Sequence, residues 1–313
     1  MRITIKAKLA ATFATIVALS AGSMLIAIQN LGALNTSLDE IANVRAANSL
    51  GMSELLTSME EMGSRTRALI LTDDPAQGEN LVNLINESRS SALAGIDALR
   101  ANISDPTEAS QLETFAVKFE EYWTAVSAAE EPALVNSDKQ ALAISRSDGS
   151  TSLGVVEETM GALKKALATR VSAGDLSAFP AYQQATDMFL TMTDIFRQQR
   201  NILLASGDVE LQEKWHTDYL DGLTAIADQM PILGRSVPAN EAVLFNNASA
   251  AYDDMVAAMD KAVAMSMTRA DLVAANGIDA ANTVRIDATA ILEAMIADNR
   301  AMLTEASTSA NAL

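Results

Sequence analysis

Arginine is the residue type in this sequence best fitted to recognise a ligand. A guanidinium presents a rigid fork of donors that makes two parallel, charge-assisted hydrogen bonds to a carboxylate. An arginine turned into a helical bundle is costly to bury alone, so it calls for an anion. Arg45 falls on an apolar seam that runs Leu31, Leu34, Leu38, Ile41, Arg45, Asn48, Met52, Leu55, Met59, Met62, Thr66, Leu69. Arg65 and Arg67 flank Thr66 and therefore line the two edges of that seam. Near the other end of the chain, the spacing back from Met302 through Asn299, Met295, Leu292 and Ala288 reaches Arg285. Counting helical rise puts Arg67 and Arg285 at a similar height, with Trp123, Thr124 and Ser127 at that level on a third helix. These residues predict one anion pocket. A second is predicted around Arg197 and Arg200, beside the stripe Phe189, Phe196, Leu203, with Trp215 and Lys261 facing it.

The competing role for each arginine is internal pairing. There are 40 Asp and Glu residues, and Glu60, Glu61, Asp187 and Asp194 are close enough in sequence to serve. Arg45 also suits the part of a register-setting polar residue in a coiled-coil seam. The methionines Met52, Met59 and Met62 read as core filler.

Other chemistries find no residues. His216 is the only histidine and there is no cysteine, so metal sites built on Cys, His or paired Glu-x-x-His motifs are excluded, as are disulfides. There is no glycine-rich phosphate loop. The acidic pairs Glu120-Glu121 and Glu157-Glu158 are adjacent in sequence, so on a helix they point about 100° apart and do not converge. The expectation is a protein that is not an enzyme and carries no cofactor and no metal. A net charge of −18 also argues against nucleic acid as a partner.

The elements that must position the arginines are helices. Ala, Leu, Met, Glu and Gln dominate, with six prolines and fourteen glycines in 313 residues. Leu9–Ile28 is apolar and uncharged, about the length needed to cross a bilayer, and follows Arg2, Lys6 and Lys8. The expected division is a cytoplasmic basic N-terminus over 1–8, a transmembrane helix over 9–29, and an outer region over 30–313. Ser20-Ala21-Gly22-Ser23 would allow a cleaved signal peptide instead, but the apolar run continues through Ile28 into the seam. Beyond it, breakers and periodicity predict six helices: from the membrane to Leu71; Ala76–Ile103; Thr107 to Val171, interrupted at Pro132 and at 147–150; Pro180–Ala205; Val209–Met230; and one unbroken helix of up to 75 residues from Ala239 to Leu313. The lengths fit an all-α fold of two stacked four-helix bundles sharing the third and sixth helices. The membrane-proximal bundle would take about 31–145 with 270–313, and the distal one about 146–269.

The opening MRITIKAKLAATFATIVALSAGSMLIAIQNLGALNTSLDEI and the turn ALILTDDPAQ resemble methyl-accepting chemotaxis proteins. The six-helix plan is similar to the helical bimodular sensor domain of chemoreceptors and of some sensor histidine kinases, including the trimethylamine-oxide type. The resemblance implies an inner-membrane receptor, a homodimer, with its sensor region in the periplasm. It would bind a small organic anion and pass a helix displacement across the membrane; the alternative is a kinase sensor that docks a periplasmic binding protein. The second crossing and the output region found in that family would follow Leu313, so the sequence reads as a fragment.

Overall fold

The computed structural model describes residues 5–39, 44–72 and 74–312. Among them are ten α-helices and no strand, as the all-α expectation requires: α1 Ile5–Asp39, α2 Ala46–Leu71, α3 Pro75–Asn102, α4 Pro106–Val135, α5 Ser137–Ile144, α6 Ser150–Ser172, α7 Phe179–Leu204, α8 Val209–Ser236, α9 Ala242–Met267 and α10 Ala270–Ala312. Side-chain capping sets several starts. Asp74 accepts from the Ala76 N–H, Asp105 from Thr107 and Glu108, and Asp208 from Leu211. Pro75 and Pro106 each open a helix, where no N–H is needed. Leu38, Ile41 and Asp73 of the predicted seam and turn lie outside the residues whose side chains are described.

α1 is long and apolar enough to cross a membrane over Leu9–Leu34, five residues further than the span read from the sequence. Its apolar side chains, among them Phe13, Ile16, Leu25 and Ile28, are exposed.

Three predicted helices divide differently. The third passes through Pro132 in the last turn of α4, where the proline has no N–H to give the Ala128 carbonyl. It breaks four residues later, at Asn136, whose φ of 50° is left-handed. The stretch Ser145–Gly149 is then a π-helical turn leading straight into α6. The fifth helix likewise runs through Pro231 to Ser236. The sixth is two helices, parted at Arg269 with φ 53°. A left-handed residue other than glycine costs about 1–2 kcal/mol, so contacts from elsewhere must hold both breaks. Asn136 donates from Nδ2 to the Thr72 carbonyl at 3.2 Å; the contacts of Arg269 are given below.

The chain divides into two compact units. The first comprises Met1–Arg67, Asn80–Val126 and Ala280–Leu313. Its core is a four-helix one: Met52, Leu55, Met59 and Met62 from α2, Ile85, Ala92 and Ile96 from α3, Leu112, Phe115, Phe119 and Tyr122 from α4, and Ala288, Leu292 and Met295 from α10. The predicted seams are buried from Asn48 to Thr66 and from Ala288 to Asn299, whereas Leu31 is exposed. Arg45 sends Nη1 to the Met302 sulfur at 3.0 Å, and Asn299 donates to the Arg45 carbonyl at 3.1 Å.

The second unit comprises Ala68–Glu79 and Ser127–Asp279. Its core joins Val156, Met160, Leu163 and Leu167 of α6, Met188, Met192 and Ile195 of α7, Tyr219 and Ile226 of α8, and Met255 and Met259 of α9. Gly174, at φ 95°, lets the chain reverse after α6. At that corner Arg170 pairs with Asp175 at 2.6 Å and Glu241 at 3.4 Å.

Glu130 on α4 gives this unit a pH-dependent weakness. Burial pushes its carboxyl pKa up, and its Oε1 has no hydrogen-bond partner among the described residues. A carboxyl with a raised folded-state pKa favours folding while protonated, and that contribution is lost as pH rises through the raised value. Glu130→Gln should raise the melting temperature at pH 7, and the gain should vanish as pH falls to about 4, near the ordinary carboxyl pKa. Thermal melts at both pH values check this; an equal gain at each would contradict it.

Candidate functional site

In the second unit a surface groove of about 280 Å³ opens between α5 with its π-turn and the C-terminal half of α7. Leu142, Phe196, Leu203 and Leu204 form its apolar walls, Ser145 and Ser150 bring hydroxyls, and Arg146 and Arg200 bring charge. Neither arginine makes an ion pair or side-chain hydrogen bond among the described residues. The groove therefore carries two exposed guanidiniums in a chain with 40 acidic and 22 basic residues.

The local sequence builds this groove from small residues. Ser137, Ala141, Ser145 and Gly149 are each four apart and all buried. The π-turn supplies the extra residue that keeps this spacing, and such turns recur at functional sites. Gly149 packs beside the Phe196 ring, where a Cβ would make an ordinary contact at 3.5 Å. Behind Ser145 lies a polar layer. Its hydroxyl donates to Gln199 Oε1 at 3.1 Å; Gln199 is fully buried and its Nε2 has no partner among the described residues. Gln212, also fully buried, donates to Ser266 Oγ at 3.1 Å and accepts from Arg269 Nε at 2.7 Å.

Of the arginines predicted for this pocket, Arg200 lines the groove, whereas Arg197 points away and pairs with Asp194. Trp215 and Lys261 do not line it: the Lys214 ammonium lies over the Trp215 ring at 5.2 Å, and Lys261 is exposed. Arg146 is not among the arginines the sequence points to, because SRSDGS reads as a polar interruption rather than as a helical turn. The four-residue rhythm of small side chains was the available signal.

In the first unit Arg285 and Arg67 do meet one another's neighbourhood. Arg285, with 15% of its side chain exposed, pairs with Glu60 and donates from Nη2 to Asn282 Oδ1 at 3.0 Å. It passes close to Gly63, where an added Cβ would meet its Cδ at 3.3 Å and the Tyr122 hydroxyl at 3.5 Å. Tyr122 is buried, and its hydroxyl has no partner among the described residues. Burial pushes its pKa up to about 12, opposed by Arg285 and the exposed Arg67. Arg65 is held inside the unit: it pairs with Glu61 at 2.9 Å and donates to the Leu84 carbonyl at 2.8 Å and to Ser88. Trp123 and Thr124 lie on the neighbouring faces of α4. Trp123 stacks under the Arg89 guanidinium at 4.4 Å, and Thr124 borders a shallow surface with Glu120 and Glu121. On α4 it is Tyr122, one residue and about 100° of turn from Trp123, that comes near Arg285.

Residues 2–171 match the family of four-helix-bundle sensory modules for signal transduction. This chain belongs to that family. The match takes in more than half of the sequence, from the first residues of α1's approach to the end of α6, and bears out the likeness to chemotaxis receptors read from the opening residues and the first turn. No curated protein matches the chain. The sensory module is thus part of a signal-transduction receptor, and its family is not a known catalytic domain. Among its described residues no group of three or more Asp, Glu or His is placed to hold a metal ion.

Two of the buried tyrosines, Tyr122 and Tyr219, predict opposite responses to loss of a hydroxyl. The Tyr219 hydroxyl donates to Asp260 Oδ1 at 2.7 Å. Tyr219→Phe should cost about 1.5–3 kcal/mol, the range for a hydrogen bond to a charged group. Tyr122→Phe removes an unpaired buried hydroxyl and should be neutral or stabilising. Urea unfolding of both variants checks the pair, and equal losses would contradict the assignment.

Proposed function

We propose that this sensory module detects small organic anions, with α1 anchoring it in the cytoplasmic membrane and residues 30–313 facing the periplasm. The observation that carries the ligand class is the pair Arg146 and Arg200, both without an internal partner, lining one groove with two serine hydroxyls and apolar walls. A carboxylate would take the guanidinium forks while its carbon skeleton lies against Leu142, Phe196 and Leu203. The Arg285–Glu60 pair in the first unit is already neutralised from within, which makes it the weaker place for a ligand.

Sensing requires only that the anion bind one arrangement of the helices better than another. The basic flank at Arg2, Lys6 and Lys8 supports the orientation, since positive residues stay on the cytoplasmic side. Calorimetry of the whole chain against mono-, di- and tricarboxylates tests the reading. Saturable binding that Arg200→Ala weakens is expected. Absence of binding to every anion, together with capture of a periplasmic solute-binding protein, would replace it with the docking alternative.

A further inference from the structure

From Ala239 to Asn276 the sequence holds neither proline nor glycine. Beyond the helix-start pattern Thr268-x-x-Asp271 nothing local marks a stop, yet the helix is parted at Arg269, which takes a left-handed φ of 53°. Side chains on both flanks hold it there. The Arg269 guanidinium donates from Nε to Gln212 Oε1 at 2.7 Å and pairs with Glu213, both on α8. Two residues on, the Asp271 carboxylate accepts from the Ser137 hydroxyl at 3.0 Å and from the Asp138 N–H at 2.7 Å, at the start of α5. Asp138 in turn accepts from the Ser206 hydroxyl at 2.7 Å, in the turn between α7 and α8.

The buried stripe does not notice the break. Met255, Met259, Ala262, Ser266, Ala270 and Ala274 follow one another at steps of three or four, so a single continuous helix would bury the same residues. At the break itself the backbone bonds are the tighter kind, Thr268 N–H to Met265 O at 3.2 Å and Arg269 N–H to Ser266 O at 3.1 Å. Joining the helices would restore the ordinary four-residue ladder. The segment therefore has two arrangements with one core: a broken one held by α8 and α5, and a continuous one favoured by its own sequence.

We propose that Arg269 is a latch: engaged on Gln212 and Glu213 it keeps α9 and α10 apart, and released it lets them join into one helix, turning the start of α10 against α9. The latch reaches the groove through Gln212, whose Nε2 also lies 3.4 Å from the Ile202 carbonyl. Ile202 belongs to the last turn of α7, the turn after Arg200 and beside Leu203. A ligand loading that turn acts on the residue that grips Arg269. The latch itself exists without ligand, so its test is separate from that of the anion site.

The chain has no cysteine, so Asp254→Cys with Asn276→Cys, both exposed positions on either side of the break, accept spin labels at two sites only. In a continuous helix these positions are about 33 Å apart. Pulsed electron–electron distance measurement on the detergent-solubilised full chain should give a shorter separation with Arg269 in place. Arg269→Ala should move the main population to the continuous-helix distance. Glu213→Gln, which alters only an exposed side chain, should add a minor population at that distance. Circular dichroism and melting temperature establish that each variant is folded; should Arg269→Ala not fold, Glu213→Gln decides alone. A wild-type distance distribution in the folded variants overturns the proposal.

Discussion

Replacing Arg146 and Arg200 together with alanine should weaken carboxylate binding by about 100-fold or more. Each charge-assisted hydrogen bond contributes about 1.5–3 kcal/mol, and 1.4 kcal/mol is a factor of ten in affinity. The lower part of that range applies, because both side chains are exposed and water screens them. The fold should be indifferent, since neither guanidinium makes an ion pair or side-chain hydrogen bond among the described residues. This separates the pair from Arg170, whose bonds to Asp175 and Glu241 close the corner after α6. Calorimetric titration beside a thermal melt checks both statements. Loss of affinity with an unchanged melt is expected. Unchanged affinity would move the site elsewhere, and the Arg67–Arg285–Tyr122 neighbourhood would be the next place to test by Arg285→Ala.

Phe119→Ala should be among the most damaging single substitutions in the first unit, at about 3–5 kcal/mol for a buried phenylalanine truncated in a packed core. The Phe119 side chain is fully buried, and its ring centroid lies 6.2 Å from that of Phe115, tilted by 34°, within the range for a favourable aromatic pair. Phe119→Leu should recover much of the loss by keeping most of the volume. Denaturant unfolding measures both, and a loss below about 1 kcal/mol for the alanine variant would contradict the packing.

The helices, their apolar faces and most of their ends can be read from the residues in order. Those features are local. A seam such as Met52, Leu55, Met59, Met62 is written at helical spacing, and Asp-Pro turns at 74–75 and 105–106 carry their own caps. The apolar run of α1 and the opening residues were equally legible, and they were enough to indicate a receptor sensory module. Which arginine lacks a partner was not legible. Arg65, Arg285 and Arg200 look alike in sequence, and the difference lies in whether Ser88, Glu60 or nothing stands opposite on another helix. The breaks at Asn136 and Arg269 come from packing, because left-handed residues other than glycine are held by groups distant in sequence, the Thr72 carbonyl for one and the Gln212 and Glu213 side chains for the other. Helical propensity is summed over neighbours a few residues apart, whereas the groove and the latch are made by partners that meet only when the helices pack.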